Sequence, residues 1–241
     1  QSQFDLLIPV DAPPVIRLET QFGQITSRRV PDYLPRRKLS PALLNWLDRA
    51  LVGEGQVPKG RFVLSGDLSR FPFDRGGGYF EVRYDFEGLE LPYDPNWPPA
   101  IALYGEMAFI NQSFVARIDG GEVAGSRVEG GQVEIASFAS PAVQVNLDVV
   151  GPLAAQLNFL EQSPILKANS LDWLQARGDS QLALDINIPL FIAERGRERV
   201  EGQLILEDAE LSMPALGVNV TNLHGPLRFV NERIDASGIT G

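Results

Sequence analysis

Several stretches of this chain alternate apolar and polar residues one for one. A period of two is the signature of an extended strand with one face buried and the other in water. The clearest run is Phe80, Val82, Tyr84 and Phe86, interleaved with Glu81, Arg83 and Asp85. A second sets Leu182, Leu184, Ile186, Ile188 and Leu190 against Ala183, Asp185, Asn187 and Pro189. A third sets Val143, Val145, Leu147 and Val149 against Gln144, Asn146 and Asp148. Noisier runs cover 62–68, 101–109, 114–118, 204–211 and 216–220, and a β-like run, 4–10, opens the chain.

Between these runs lie glycine-rich stretches: Arg75-Gly76-Gly77-Gly78, Asp119-Gly120-Gly121 and Glu129-Gly130-Gly131. They are read as hairpin turns, where a positive φ is needed. None stands in the strand–loop–helix setting, with Gly-Lys-Ser/Thr, that a phosphate loop requires.

Helical signals are sparse. Ser40-Pro41 offers an N-cap and a first-turn proline ahead of Leu43, Leu44, Leu47 and Leu51, and Gly53 can end that helix. A second helix is expected from Pro152, with Leu153, Leu157 and Leu160 on one stripe, stopping at Ser163-Pro164. A short third is expected around Leu171–Gln175, so helical insertions fall near 41–52 and 153–175. So few short helices cannot cover a sheet of many strands.

The chain also matches itself at a displacement of 120 residues. Leu103, Gly105, Phe109, Asn111 and Ala116 have identical counterparts in Leu223, Gly225, Phe229, Asn231 and Ala236, and Phe62/Leu64 align with Leu182/Leu184. An internal repeat of 57–130 and 178–241 is expected, within one continuous unit spanning 1–241. A repeated strand-and-turn unit is how a sheet grows by adding modules.

The apolar face of such a sheet must be hidden, because burial contributes about 25 cal/mol per Å² and large exposed apolar patches are rare. Three arrangements achieve this: a second sheet, closure into a barrel, or a trough whose inside holds a guest. Periodicity alone leaves all three open. A nine-residue strand spans about 30 Å at ~3.3 Å per residue, against about 15 Å for one acyl leaflet, so one strand can line the bed of a lipid tail. Phe62, Phe80, Tyr84, Phe86 and Phe109 would supply area.

Composition narrows the classes. A hydrophobic content of 44% with 22% charged residues is that of a folded chain, and 241 residues allow a sizeable core. The net charge of −10 argues against nucleic acid and against general adhesion to anionic membranes. With no cysteine, disulfides and Cys-ligated zinc are excluded. No apolar run is long enough to span a bilayer, and the chain opens on Gln1 within a β-like run. It reads as a piece of a longer protein, with any targeting signal or anchor elsewhere.

A set of short anchors points to one family. They begin at Val30-Pro31-Asp32-Tyr33-Leu34-Pro35, Leu43-Leu44-Asn45-Trp46-Leu47 and Gly60. Phe71-Pro72-Phe73, Gly78-Tyr79-Phe80 and Pro95-Asn96-Trp97-Pro98 follow. Gln162-Ser163-Pro164, Ile188-Pro189-Leu190 and Leu223, Gly225, Leu227 and Phe229 close the set. In order and spacing, over about 28–241, the chain resembles the YhdP family, AsmA-like proteins of Gram-negative bacteria. The resemblance implies a mainly β fold: an elongated, curved antiparallel sheet forming a taco-shaped groove, with a few short helices, like eukaryotic bridge-like lipid transfer proteins.

It further implies an inner-membrane anchor outside this segment, a periplasmic location and phospholipid movement toward the outer membrane. Outer-membrane or periplasmic proteins are further candidate partners. No catalytic residues come with the family, so what it transfers is a face of the sheet. The candidate lining is Phe62, Leu64, Phe80, Val82, Tyr84, Phe86, Val143, Val145, Leu147, Leu182, Leu184, Ile186, Ile188, Leu204 and Leu206. A competing role is a structural module that pairs its strand edges with a partner.

Enzymatic signals are weak. His224, the single histidine, is expected at a surface turn beside Gly225, away from any triad. Carboxylate pairs such as Glu207/Asp208 and Asp5/Asp11 are what acidic surface strands produce, and no calcium loop is present. No cofactor or metal is expected. The basic run Arg28-Arg29 and Arg36-Arg37-Lys38 is read as a solvated face. Trp46 and Trp173 are expected to pack in helices, and Trp97 to clamp a groove edge from a Pro-rich loop.

Overall fold

The computed structural model describes residues 2–7, 15–29, 44, 48, 53–93, 97–162, 173–190, 198–231 and 233–241. Its strands are β1 (Ser2–Leu7), β2 (Val15–Phe22), β3 (Ile25–Thr26), β4 (Gln56–Val57), β5 (Gly60–Asp67), β6 (Gly78–Leu91) and β7 (Ala100–Ile110). They continue as β8 (Ser113–Val123), β9 (Ser126–Ile135), β10 (Ala142–Pro152), β11 (Gln175–Pro189), β12 (Arg199–Met213), β13 (Val218–Val230) and β14 (Arg233–Asp235). One helix, α1 (Leu153–Gln162), follows β10.

All the pairings are antiparallel. The order is β1-β2-β5-β6 and then each strand beside the next to β14, with β3 and β4 attached off β6. Among the described residues β1 and β14 do not pair, so the sheet stays open rather than closing into a barrel.

Register turns the alternation into two chemically distinct faces. Gly60, Tyr84, Met107, Ala116, Val133, Val145, Ile186 and Val200 form one row across β5 to β12, and the row is apolar apart from the tyrosine hydroxyl. The adjoining row on the other face is Asp85, Glu106, Arg117, Gln132, Asn146, Asp185 and Glu201. A one-residue slip would invert both rows, so burial of the first fixes the pairing. Arg83 is held on the polar face between Glu81 and Glu106, both at 2.6 Å.

The strands are longer than the sequence pattern implied. Gly120-Gly121 lies inside β8 and Gly130-Gly131 inside β9, not at turns. The hairpin turns fall instead at Asn111-Gln112 and Ala124-Gly125, where Asn111 and Ala124 take positive φ. Only Arg75–Gly78 behaves as the glycines suggested, with Gly76 and Gly77 in the left-handed region before β6.

Bulges explain why alternation breaks down toward one end of each long strand. Register shifts between Phe86 and Leu89, opposite Gly105–Leu103, and Gly88 there has φ 62°. The extra residue returns Leu89 to the inner face, as bulges do. Asp208 (φ 52°) does the same between Leu206 and Ala209 in β12. Ala102 and Asn222, also 120 apart, take φ 51° and 55°. Asn111 and Asn231 are matched most closely. Each accepts a hydrogen bond at Oδ1 from the backbone N–H of Phe80 (2.9 Å) and Val200 (2.8 Å), and each donates its own N–H back to that residue's carbonyl.

The helix expected from Pro152 is α1. The helix expected at 41–52 lies outside the described residues apart from Leu44 and Asp48, which are helical. The third expected helix is not seen where it can be judged: Trp173 is in a turn, half exposed, and Gln175 already begins β11. His224 sits within β13 rather than at a turn, and its Nε2 lies 2.9 Å from Asp208 on the surface.

Candidate functional site: an apolar trough

Antiparallel succession places the connections β6–β7, β8–β9 and β10–β11 along one rim of the curled sheet, here the helix rim. The connections β5–β6, β7–β8 and β9–β10 lie along the opposite rim. Between the rims the inner faces of β6 to β11 surround a cavity of about 250 Å³. An apolar cavity of ~150 Å³ already stays dry and admits a benzene ring.

The lining is apolar almost throughout: Leu89, Leu103, Met107, Phe109 and Phe114 from β6 to β8, and alternate residues of β10 (Val143, Val145, Leu147, Val149) and β11 (Leu182, Leu184, Ile186, Ile188). No charged residue is among the described residues of the lining. Ser126 and Gln156 are the polar exceptions beside the part-polar Tyr93 and Trp97.

Two connections on the helix rim fold inward over this space. β6 and β10 are four strand spacings apart, about 19 Å along the sheet. Even so, Trp97 of the β6–β7 connection and Phe159 of α1 have ring centroids 5.0 Å apart, and the Tyr93 ring lies tilted against Trp97 at 6.1 Å. The curl of the sheet closes the rest of the distance. Helix α1 is held by a buried polar pair: Ser180 Oγ donates to Gln156 Oε1 (2.8 Å), and Gln156 Nε2 donates to the Ser180 carbonyl (3.1 Å). Its Leu153, Phe159 and Leu160 are buried beside this pair.

The β5 end is packed by the chain itself. Phe80 meets Phe62 and Phe71 edge-on at 5.8 and 5.5 Å, and Phe73 meets Phe71 edge-on as well. The fifteen candidate lining residues therefore divide. Phe86, Val143, Val145, Leu147, Leu182, Leu184, Ile186 and Ile188 face the cavity. Phe62, Leu64, Phe80, Val82, Tyr84, Leu204 and Leu206 belong to the same apolar cluster but pack away from the cavity.

Of the β7, β8 and β9 wall the alternation pointed only to Phe109 as apolar area; Phe114, Ile118, Val128 and Val133 were not in the candidate lining. For β7 and β8 the signal was present as noisier alternation; for β9 the glycine pair concealed it. Trp97, expected to clamp a groove edge, does line the cavity from the rim. Among the described residues no cluster of metal-ligating side chains occurs, and no helix is long and apolar enough to cross a membrane.

An open antiparallel sheet, polar outside and curled around an uncharged hydrocarbon interior, defines the class: a β-trough protein. The chain belongs to the YhdP protein family, whose model matches residues 1–241. It is 25% identical over 210 residues to the "Intermembrane phospholipid transporter YhdP" of Escherichia coli (strain K12). That match covers 86% of this chain and 16% of the relative, so the chain spans only a small part of that protein's length. No solved structure matches it.

Proposed function

We propose that this segment is one section of a periplasmic lipid conduit. Acyl chains lie in the trough, headgroups stay at its mouth in water, and phospholipid moves along it between the inner and outer membranes. The observation that carries this reading is the uncharged cavity of about 250 Å³ inside a sheet that remains open. Each methylene taken from water into such a site contributes about 0.8 kcal/mol, so a single tail binds reversibly and a second strengthens the hold. The name of the relative and the shared family support phospholipid as the cargo.

The inner-membrane anchor belongs to a part of the protein outside these residues. Matching bulges and asparagine hydrogen bonds 120 residues apart support a module used twice, 57–130 and 178–241, to lengthen the conduit. Passive carriage suits the site, since none of the described lining residues can hold a nucleotide phosphate.

Lipid extraction and native mass spectrometry of the purified chain test the proposal. Phospholipid should co-purify or load from vesicles, and Ile186→Asp should abolish loading while the sheet still folds. Protein that stays lipid-free after incubation with vesicles contradicts it.

A further inference from the structure

The cavity wall holds one polar atom that the fold itself leaves unused. Ser126, the first residue of β9, is 2% exposed, lines the cavity, and its Oγ has no hydrogen-bond partner. Its polar neighbour Gln156 differs, because both its oxygen and its nitrogen are engaged by Ser180. Ser126 rests against Gly151 of β10: a Cβ at 151 would lie 2.7 Å from the hydroxyl. Gly151 in turn pairs with Ser180 of β11. The polar residues of the lining are thus gathered at the helix rim, and the walls beyond them carry only hydrocarbon.

A buried donor without an acceptor is costly, and alanine would fill the same place without that cost. We propose that the Ser126 hydroxyl donates to the guest, and that its acceptor is the ester carbonyl of an acylglycerol lipid. This rests on the lipid reading above and deepens it. An alkane offers no acceptor. A free carboxylate would bring a full charge into an uncharged cavity, which is far more costly than burying a neutral carbonyl. A turn about the single side-chain torsion of serine aims the hydroxyl inward.

The geometry then orients the lipid. Its glycerol end sits at the helix rim, where α1 and Trp97 fold over, and the headgroup leaves past that rim. The tails run toward Phe109 and Phe114. β9 spans about 30 Å, twice the ~15 Å of one leaflet's chain.

The test compares diester phosphatidylethanolamine with its diether analogue of equal chain length, loaded from vesicles into the purified chain and counted by native mass spectrometry. Wild type should favour the ester about fivefold, and in Ser126→Ala the ratio should fall to about one. With a 13C-labelled ester carbonyl, the bound lipid should show a hydrogen-bonded infrared carbonyl band in wild type that Ser126→Ala lacks. A wild-type ratio near one, or a band unchanged by the substitution, overturns the seat while leaving lipid carriage intact. Failure of both lipids to enter overturns carriage and the seat together.

Discussion

Tyr84 and Ser126 carry the buried side-chain oxygens left without a partner among the described residues, and they stand in different surroundings. Ser126 faces the cavity. Tyr84 is enclosed between Gly60 and Met107 away from it, and burial pushes its phenol far above its ordinary pKa. Removing an unpaired buried hydroxyl relieves a desolvation cost. Tyr84→Phe should therefore leave stability unchanged or raise it by about 1 kcal/mol, read from urea unfolding; a loss of that size would mean the hydroxyl has a partner after all.

Asp67 is a contrasting case. The Ser69 hydroxyl and backbone N–H both donate to its Oδ1 (2.7 and 2.9 Å) and hold its carboxyl below the usual aspartate value, with Arg70 adding to the effect. A depressed folded pKa gives stability that is present above the unfolded value of about 3.9 and is lost as pH falls through the folded value. Wild type should exceed Asp67→Ala in unfolding midpoint at pH 7, and the gap should close as pH falls below the unfolded value of about 3.9 and on through the lower folded one. A gap that persists in acid would place the effect in the backbone rather than in the charge.

At the scale of elements, α1 and the β6–β7 connection act as one unit, because the Trp97–Phe159 contact joins segments separated by four strands. Phe159→Ala removes a buried ring and that contact. It should destabilise the chain by about 3 kcal/mol in denaturant unfolding; a loss below 1 kcal/mol would mean the helix rests on the rim without being packed into it.

The same elements show what the sequence could and could not disclose. Clean alternation located β6, β10 and β11, since each carries four or more large apolar side chains in unbroken phase. Helix α1 was visible because its leucine stripe ends at Ser163-Pro164. β9 was hidden: Gly130-Gly131 imitates a turn, whereas Gly131 is there because a Cβ would lie 2.4 Å from the Asn146 carbonyl of the next strand. Bulges at Gly88 and Asp208 shift the apolar phase by one residue, and a strict period-two reading loses the strand at that point. Which apolar residues would face a cavity and which would pack was not legible at all. At the β5 end the Phe71–Phe73 connection fills the space beside Phe80, and over the middle α1 meets Trp97 from 62 residues away, a contact that no local pattern announces.

Across the whole molecule, the apolar face is covered in the middle and bare at the ends. Phe4 and Leu6 of β1 and Ile234 of β14 are 59%, 52% and 58% exposed. They share the inner face, because Phe4 aligns through Leu18 and Leu64 with Phe80, and Ile234 through Phe229 and Gly202 with Leu184. Bare apolar ends beside strand edges that are unpaired among the described residues favour association. The isolated chain should therefore self-associate as its concentration rises, and Phe4→Lys with Ile234→Lys should reduce this in analytical ultracentrifugation. A strictly monomeric wild type at high concentration would show that the ends are shielded.

The central claim is that hydrocarbon from a guest occupies the inner face of the sheet. Photo-crosslinking residues placed one at a time at Val145, Asn146, Asp185 and Ile186, followed by incubation with phospholipid vesicles and mass analysis of the adducts, test it most directly. Lipid adducts at 145 and 186 with none at 146 and 185 are the expected result. Equal labelling of both faces, or no adduct at 145 and 186, would contradict the account.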